Sequence, residues 1–329
     1  MSDVATTARW GITVPFDAPL HEHGAWLGLL AELGYTDVWS AEADGIDGFS
    51  PLLLAAAWAP SLRLGTAVIP VYTRGPAVIA QSAAALAEAA PGRVALGIGT
   101  SSDIIVGKWN GIPFTEPYRH ARDMLRFLKE ALAGQRVDRD YGTFAVRGFR
   151  LARRVPDPPP LYLAALRPGM LRLAGREADG VIVNWLAAVD VPTVVGEMRA
   201  AAGAQAGHKV VAARIFVCPT EDAAAARTAG RRAIAAYLNV PVYAEFHRWL
   251  GRAAALQGMW DAWQAGDRKA ALDAIPDELV DQLIVHGSPR DCREHIRRYV
   301  RAGVEVPIIA LLGPYGDLSA ALRGLAPGQ

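Results

Sequence analysis

Apolar residues in this chain gather in short β-branched runs, and the stretches between those runs carry apolar positions at helical spacing. Trp10 to Val14 (WGITV), closed by Pro15, is the first run, and Tyr35 to Ser40 (YTDVWS) is the second. Both have the length and residue types of buried strands. Arg63 to Ile69 and Val94 to Ile98 follow as strands three and four. Between them Pro76 opens a run of small helix formers over Ala77 to Ala90, and Pro91-Gly92 stops it. This unit predicts two parallel strands joined by a crossover helix, with Pro70 to Gly75 and Gly99 to Ser102 as the loops that border a ligand.

The alternation runs on to the end of the chain. Helices are predicted over Ala25 to Leu33 and Pro51 to Trp58. After Ser102 a longer connection leads to an amphipathic helix with Ala121, Leu125, Leu128 and Leu132 on one face, Thr115 as its expected N-cap and Gly134 as its stop. Tyr141 to Leu151 reads as a hairpin or extended insertion, and the stiff segment Pro156 to Pro160 delivers the chain into a fifth strand, Leu161 to Ala164. Ala165 to Gly169 turns into a helix, Met170 to Glu177, before a sixth strand at Val181 to Asn184 and a seventh at Val210 to Val217. Thr220-Glu221-Asp222 caps a long alanine-rich helix, and helices alone are expected as far as about Val285. Ser288-Pro289 starts the helix Arg290 to Arg301, and Val306 to Leu312 is the eighth strand. Eight apolar strands alternating with helices predict an α/β fold, a (β/α)8 TIM barrel, as a single domain over residues 1–329 with insertions at about 103–160 and 220–285.

Composition narrows the function classes. A chain of 329 residues, 52% hydrophobic, can bury a large core. Lys+Arg at 34 against Asp+Glu at 33 gives a net charge of +1, so no whole-chain argument favours nucleic acid or an anionic membrane, and any anion site must be local. Cys218 and Cys292 form no C-x-x-C, and buried free thiols are expected. The first ten residues hold no apolar leader segment, and the most apolar stretch, Pro51 to Pro60, is far shorter than the ~20 residues of a membrane span, so a cytoplasmic location is expected.

In such a barrel the reacting groups lie at the carboxyl ends of the strands, although the fold alone names no reaction. Gly97 to Ser102 offers glycines for close backbone approach and hydroxyls for hydrogen bonds; it fits neither dinucleotide nor P-loop spacing, and a plain strand-end turn would look the same. Ala165 to Gly169 puts a proline at a helix start beside Arg167, which favours an anion such as a phosphate, while an ordinary helix start remains the alternative. Glu42 follows the second strand and is a candidate general acid or base, or else an exposed loop carboxylate. His21-x-His23 has no matched ligand set, which leaves loop histidines rather than a metal site.

The segments GITVPFD, LGTAVIPVYTRGPAVIAQ, RVALGIGTSS and LYLAALRPGMLRLAGREADGVIVNW, in that order, resemble the luciferase-like monooxygenase superfamily, and within it the branch that uses the deazaflavin coenzyme F420. The resemblance runs from about Trp10 to Pro314. It implies a bacterial luciferase-like barrel, a homodimer, and an isoalloxazine-type ring across the carboxyl-terminal mouth. It places a cis peptide at Ala67-Val68 beneath the ring, ring contacts at Gly99, Thr100 and Ser101, and a phosphate cradle at Ala165, Leu166, Arg167, Pro168, Gly169 and Met170. The chain departs from the pattern at Leu166-Arg167, where many relatives carry a small residue and glycine. Glu42 stands where several deazaflavin enzymes carry a histidine and is the expected proton-transfer residue, with Trp39 and Phe49 as neighbours of low polarity and Asp47 and His286 as the next candidates. The implied activity is hydride transfer between F420 and a small or medium organic substrate. Two alternatives stand beside it: an FMN-dependent monooxygenase using oxygen, and a cofactor-binding protein without turnover.

Overall fold

The computed structural model describes residues 9–328. The first βα units are β1 (Gly11–Val14), α1 (His23–Glu32), β2 (Asp37–Ser40) and α2 (Ser50–Trp58). Strand β3 (Arg63–Thr66) breaks off and resumes as β4 (Ile69–Pro70), ahead of α3 (Pro76–Ala89) and β5 (Val94–Gly99). Helix α4 (Pro117–Leu132) and the hairpin β6 (Val137–Asp140) and β7 (Ala145–Phe149) precede β8 (Leu161–Ala164), α5 (Pro168–Glu177), β9 (Gly180–Asn184), α6 (Val191–Ala202) and β10 (Val210–Cys218). Five helices follow: α7 (Ala223–Leu238), α8 (Pro241–Trp249), α9 (Ala253–Gln264), α10 (Arg268–Asp273) and α11 (Asp277–Leu283). The chain ends on β11 (Ile284–His286), α12 (Pro289–Ala302), β12 (Val306–Leu311) and α13 (Leu318–Gly324).

Strands β1, β2, β3, β5, β8, β9, β10 and β12 pair in that order, all parallel, and β12 returns to β1, closing the ring. These are the eight strands that the apolar runs predict, with ends that agree within two residues except in the third, where the expected run Arg63 to Ile69 is broken after Thr66 and resumes as β4. Alternate residues face opposite ways, as in any strand. Ile12, Val38, Leu64, Leu96 and Ile309 point outward into the layer beneath the helices. Trp39, Ala95, Tyr162, Ile182, Ala212 and Ile308 point inward and fill the lumen. The indole of Trp39 lies over Tyr162 with ring centroids 6.1 Å apart, and it fits because Gly65 opposes it: a Cβ at that position would stand 2.3 Å from the indole. Below this layer the buried Asp37 is paired with Arg9, whose Nε donates to it at 3.0 Å.

Differences from the sequence reading fall at loops and ends. Thr115 does not cap α4. Glu116 takes a left-handed conformation there (φ 48°), no side chain among the described residues caps the helix, and the Thr115 carbonyl instead accepts the Tyr72 hydroxyl. Asp222 caps α7, accepting the Ala225 amide at 2.9 Å, and Ser288 forms a capping box with Asp291 at the start of α12. Within 103–160, α4 is the crossover helix between β5 and β8 and packs against α3 and α5. The additions to that plain unit are a π-helical turn, Ile104–Trp109, and the β6–β7 hairpin, which seats Phe144 and Phe149 on Phe127. Helices α7 to α11 share a second apolar cluster that joins the barrel mouth through Trp185, Phe216 and Ala310. In this stretch, which reads as helices only, β11 is a strand, because the apolar Ile284 and Val285 pair with the overhanging end of β10. Among the described residues no helix is long and apolar enough to cross a membrane.

Candidate active site

The break between β3 and β4 is stitched to the loop after β2. The Ala67–Val68 peptide is cis, as the resemblance implies. The Ala67 amide donates to the Ser40 carbonyl at 2.6 Å, and the Glu42 amide donates to the Val68 carbonyl at 3.3 Å. On its other side the break is covered by the end of β5. A Cβ on Gly99 would stand 2.7 Å from Val68 Cγ2 and 3.0 Å from the Ala164 Cβ, so only glycine allows this approach. Ala67, Val68, Gly99 and Glu42 are thus brought together from three separate stretches. Thr100 and Ser101 continue from Gly99, and Ser101 adopts φ 62°. A left-handed conformation costs a residue other than glycine of order 1–3 kcal/mol, a strain that concentrates at functional sites.

Glu42 sits as one half of an ion pair. Arg74 Nε donates to its two oxygens at 3.0 and 3.1 Å, Arg74 Nη2 donates at 2.7 Å, and the Gly48 amide donates at 2.9 Å. The guanidinium rests over the Phe49 ring at 5.3 Å, so Phe49 is the neighbour expected of it. Trp39 is not, because its side chain turns into the lumen. Asp47 lies 3.5 Å from Arg74; burial pushes its carboxyl up, but hydrogen bonds from Ser50 and Phe49 and the Arg74 charge hold it below the ordinary range. These groups line a cavity of about 400 Å³ together with Ile46, Thr73 and Asn110. The Thr73 hydroxyl is buried there without a protein partner among the described residues. His286 is engaged elsewhere, 2.8 Å from Asp281, and His23 holds the loop after β1, its Nε2 accepting the Phe16 amide at 2.9 Å.

Helix α5 begins at Pro168 with Arg167 at its N-cap position, and no side chain among the described residues caps it. Gly169 faces open space. Arg167 is exposed and pairs with no carboxylate among the described residues. Leu166 is half-buried against the core, while Ala165 donates its amide to the Ile182 carbonyl at 3.0 Å, so the cradle expected at Ala165 to Met170 opens directly from the barrel wall. Free N–H groups at a helix start, together with the helix dipole, suit an anion.

The far wall of the mouth holds groups that the sequence reading leaves out. Arg214 lies on the inner face of β10, in register with Asn184 of β9. Trp185, in a left-handed conformation (φ 52°), stacks on Phe216 at 4.1 Å and meets Tyr237 at 5.0 Å. The Tyr243 hydroxyl stands near Arg214 and Asn184; burial pushes it up to about 12 even so. The signal for Arg214 was present in VVAARIFVC, where an arginine shares the inward parity of Val210, Ala212 and Phe216. Nothing in the sequence ties Tyr243 or Arg74 to a partner, since both meetings depend on tertiary folding.

A 5,10-methylenetetrahydromethanopterin reductase of Methanolobus tindarius is 28% identical over 318 residues, spanning 94% of this chain and 96% of that protein. A putative coenzyme F420-dependent oxidoreductase of Mycobacterium tuberculosis is 25% identical over 328 residues, spanning 91% and 92%. The solved coenzyme F420-dependent tetrahydromethanopterin reductase from Methanopyrus kandleri superposes with a TM-score of 0.80 at 21% identity, over 97% of each chain, and so shares the fold. Residues 3–305 match the luciferase-like monooxygenases, and the chain belongs to that family.

Proposed function

We propose that this protein is a cytoplasmic oxidoreductase that moves a hydride between coenzyme F420 and a small or medium organic substrate. The reading is supported by near full-length likeness to relatives named for F420 chemistry, set beside a mouth that fits a ring and a phosphate. The fit rests on the uncapped start of α5 with open space at Gly169, and on the close packing of Gly99 against Val68. Arg167, Pro168, Gly169 and Met170, with Ala165 and Leu166 behind them, would hold the phosphate. Ala67, Val68, Gly99, Thr100 and Ser101 would border the ring, and F420, when bound, would supply or take up the hydride. The plug of Trp39 and Tyr162 keeps water out from below. Glu42, fixed by Arg74 and Gly48 where it lines the cavity, is the proposed proton-transfer group. The chain is proposed to pair with a second copy through the neighbouring helices α2 and α3, where Leu53, Trp58 and Val78 are exposed.

Within the family, FMN with oxygen is the alternative cofactor, because a flavin ring activates oxygen and a deazaflavin ring is largely limited to hydride transfer. Parallel titrations of the purified protein with F420 and with FMN decide between them. F420 is expected to bind at least about tenfold more tightly. Equal or tighter binding of FMN would overturn the assignment.

A further inference from the structure

Arg214, on the inner face of β10, is a charged group of the barrel wall that the proposed hydride transfer does not use. In the ring of eight strands, β10 is four strands from β3 in either direction, so Arg214 faces the Ala67–Val68 break from the opposite wall. It shares inward parity with Ala212, the lumen layer, and lies two residues, about 6.6 Å, closer to the mouth. Its Nε is buried without a partner, no carboxylate among the described residues pairs with it, and its guanidinium lies 5.2 Å from the Phe216 ring. Asp37, at the start of β2, and Glu42, just after its end, are already committed, to Arg9 and to Arg74. A guanidinium set into a protein wall without a counter-ion is a costly arrangement that a ligand anion relieves, and its fork matches a carboxylate in two parallel bonds.

The surroundings narrow the ligand further. Asn184 accepts the Trp185 amide at 2.9 Å through Oδ1 and meets the Tyr243 hydroxyl with its NH2, whose second N–H remains as a donor beside Arg214. Beside them Phe216 is packed between Trp185 and the Arg214 guanidinium, both rings are buried, and Tyr237 is the ring of this aromatic group that reaches the surface. We propose that Arg214, Asn184 and Tyr243 bind the carboxylate of the organic substrate, and that this substrate is a planar unsaturated or aromatic acid whose body lies against the exposed Tyr237 ring. The proposal deepens the oxidoreductase reading and rests on it for the sense of "substrate".

The test needs no cofactor, so it can fail or succeed independently of F420 binding. Trans-cinnamate and its neutral isostere cinnamamide are titrated into the full chain and followed by tryptophan fluorescence and ligand-observed NMR. Cinnamate is expected to bind at least about tenfold more tightly than cinnamamide. Arg214→Gln should erase that preference, Arg214→Lys should keep part of it because the charge remains without the fork, and Arg167→Ala should leave it intact. Asn184→Ala serves as a second variant should Arg214→Gln fail to fold, with cinnamate weakened severalfold and cinnamamide unchanged. Equal binding of the two probes, or no binding of cinnamate at its solubility limit, overturns the proposal. So does a preference that survives Arg214→Gln, or one lost in Arg167→Ala, which would put the anion at the start of α5. A variant at Arg214 that weakens F420 and not cinnamate would assign the guanidinium to the cofactor and overturn it as well.

Discussion

Glu42 and Arg74 are 32 positions apart, and only the fold makes them partners. Position after a strand marks Glu42 in the sequence, whereas Arg74 is one arginine among many until the β3–β4 break carries it back over the loop after β2. The same limit hid Tyr243, which reaches the mouth from α8. It did not have to hide Arg214, because a charged residue on the inward face of an apolar strand is a readable contradiction. For Glu42 the expected consequence is kinetic. Glu42→Gln keeps the shape and loses the proton-transfer capacity, so turnover should fall about 10²- to 10⁴-fold with F420 affinity within a few-fold. Steady-state rates and a binding titration measure the two quantities separately. A loss below about threefold would move the role to Asp47, which shares the cavity.

Strands were legible because a buried parallel strand must be short, apolar and β-branched whatever surrounds it. Helix starts were less so: Ser288 and Asp222 cap as their residue types promise, but at α4 a left-handed Glu116 displaced the expected Thr115. The start of α5 depends on backbone rather than side chain, and this is why the departure at Leu166-Arg167 leaves the cradle in place. Its free amides and dipole should supply most of the anion affinity, about 0.3–2 kcal/mol, with Arg167 adding an exposed charge that salt screens. Arg167→Ala is therefore expected to weaken F420 binding more at low ionic strength than at high. Equal affinity of variant and parent at both would show that the helix start works alone.

Two buried histidines make the fold sensitive to acid. Burial, with Arg252 nearby, pushes His247 down to about 3, and burial, with Arg298 and His286, pushes His295 down to about 4, from an ordinary value of 6.5. Between these values the unfolded chain binds more protons than the folded one. The stability these neutral rings leave intact is complete above about pH 6.5 and is lost as pH falls toward 4 and then 3, by up to about 1.4 kcal/mol per pH unit for each histidine. The urea midpoint should drop from pH 7 to pH 5, and His247→Leu should flatten that slope; a midpoint unchanged over the interval would exclude the histidines as its source. A different consequence follows from the indole lodged between Gly65 and Tyr162. A barrel stoppered at one end has a single doorway, and two molecules that share one doorway queue. Whichever lies deeper must arrive first and depart last, so initial rates should show an ordered sequence, and product inhibition should reveal the same order in reverse.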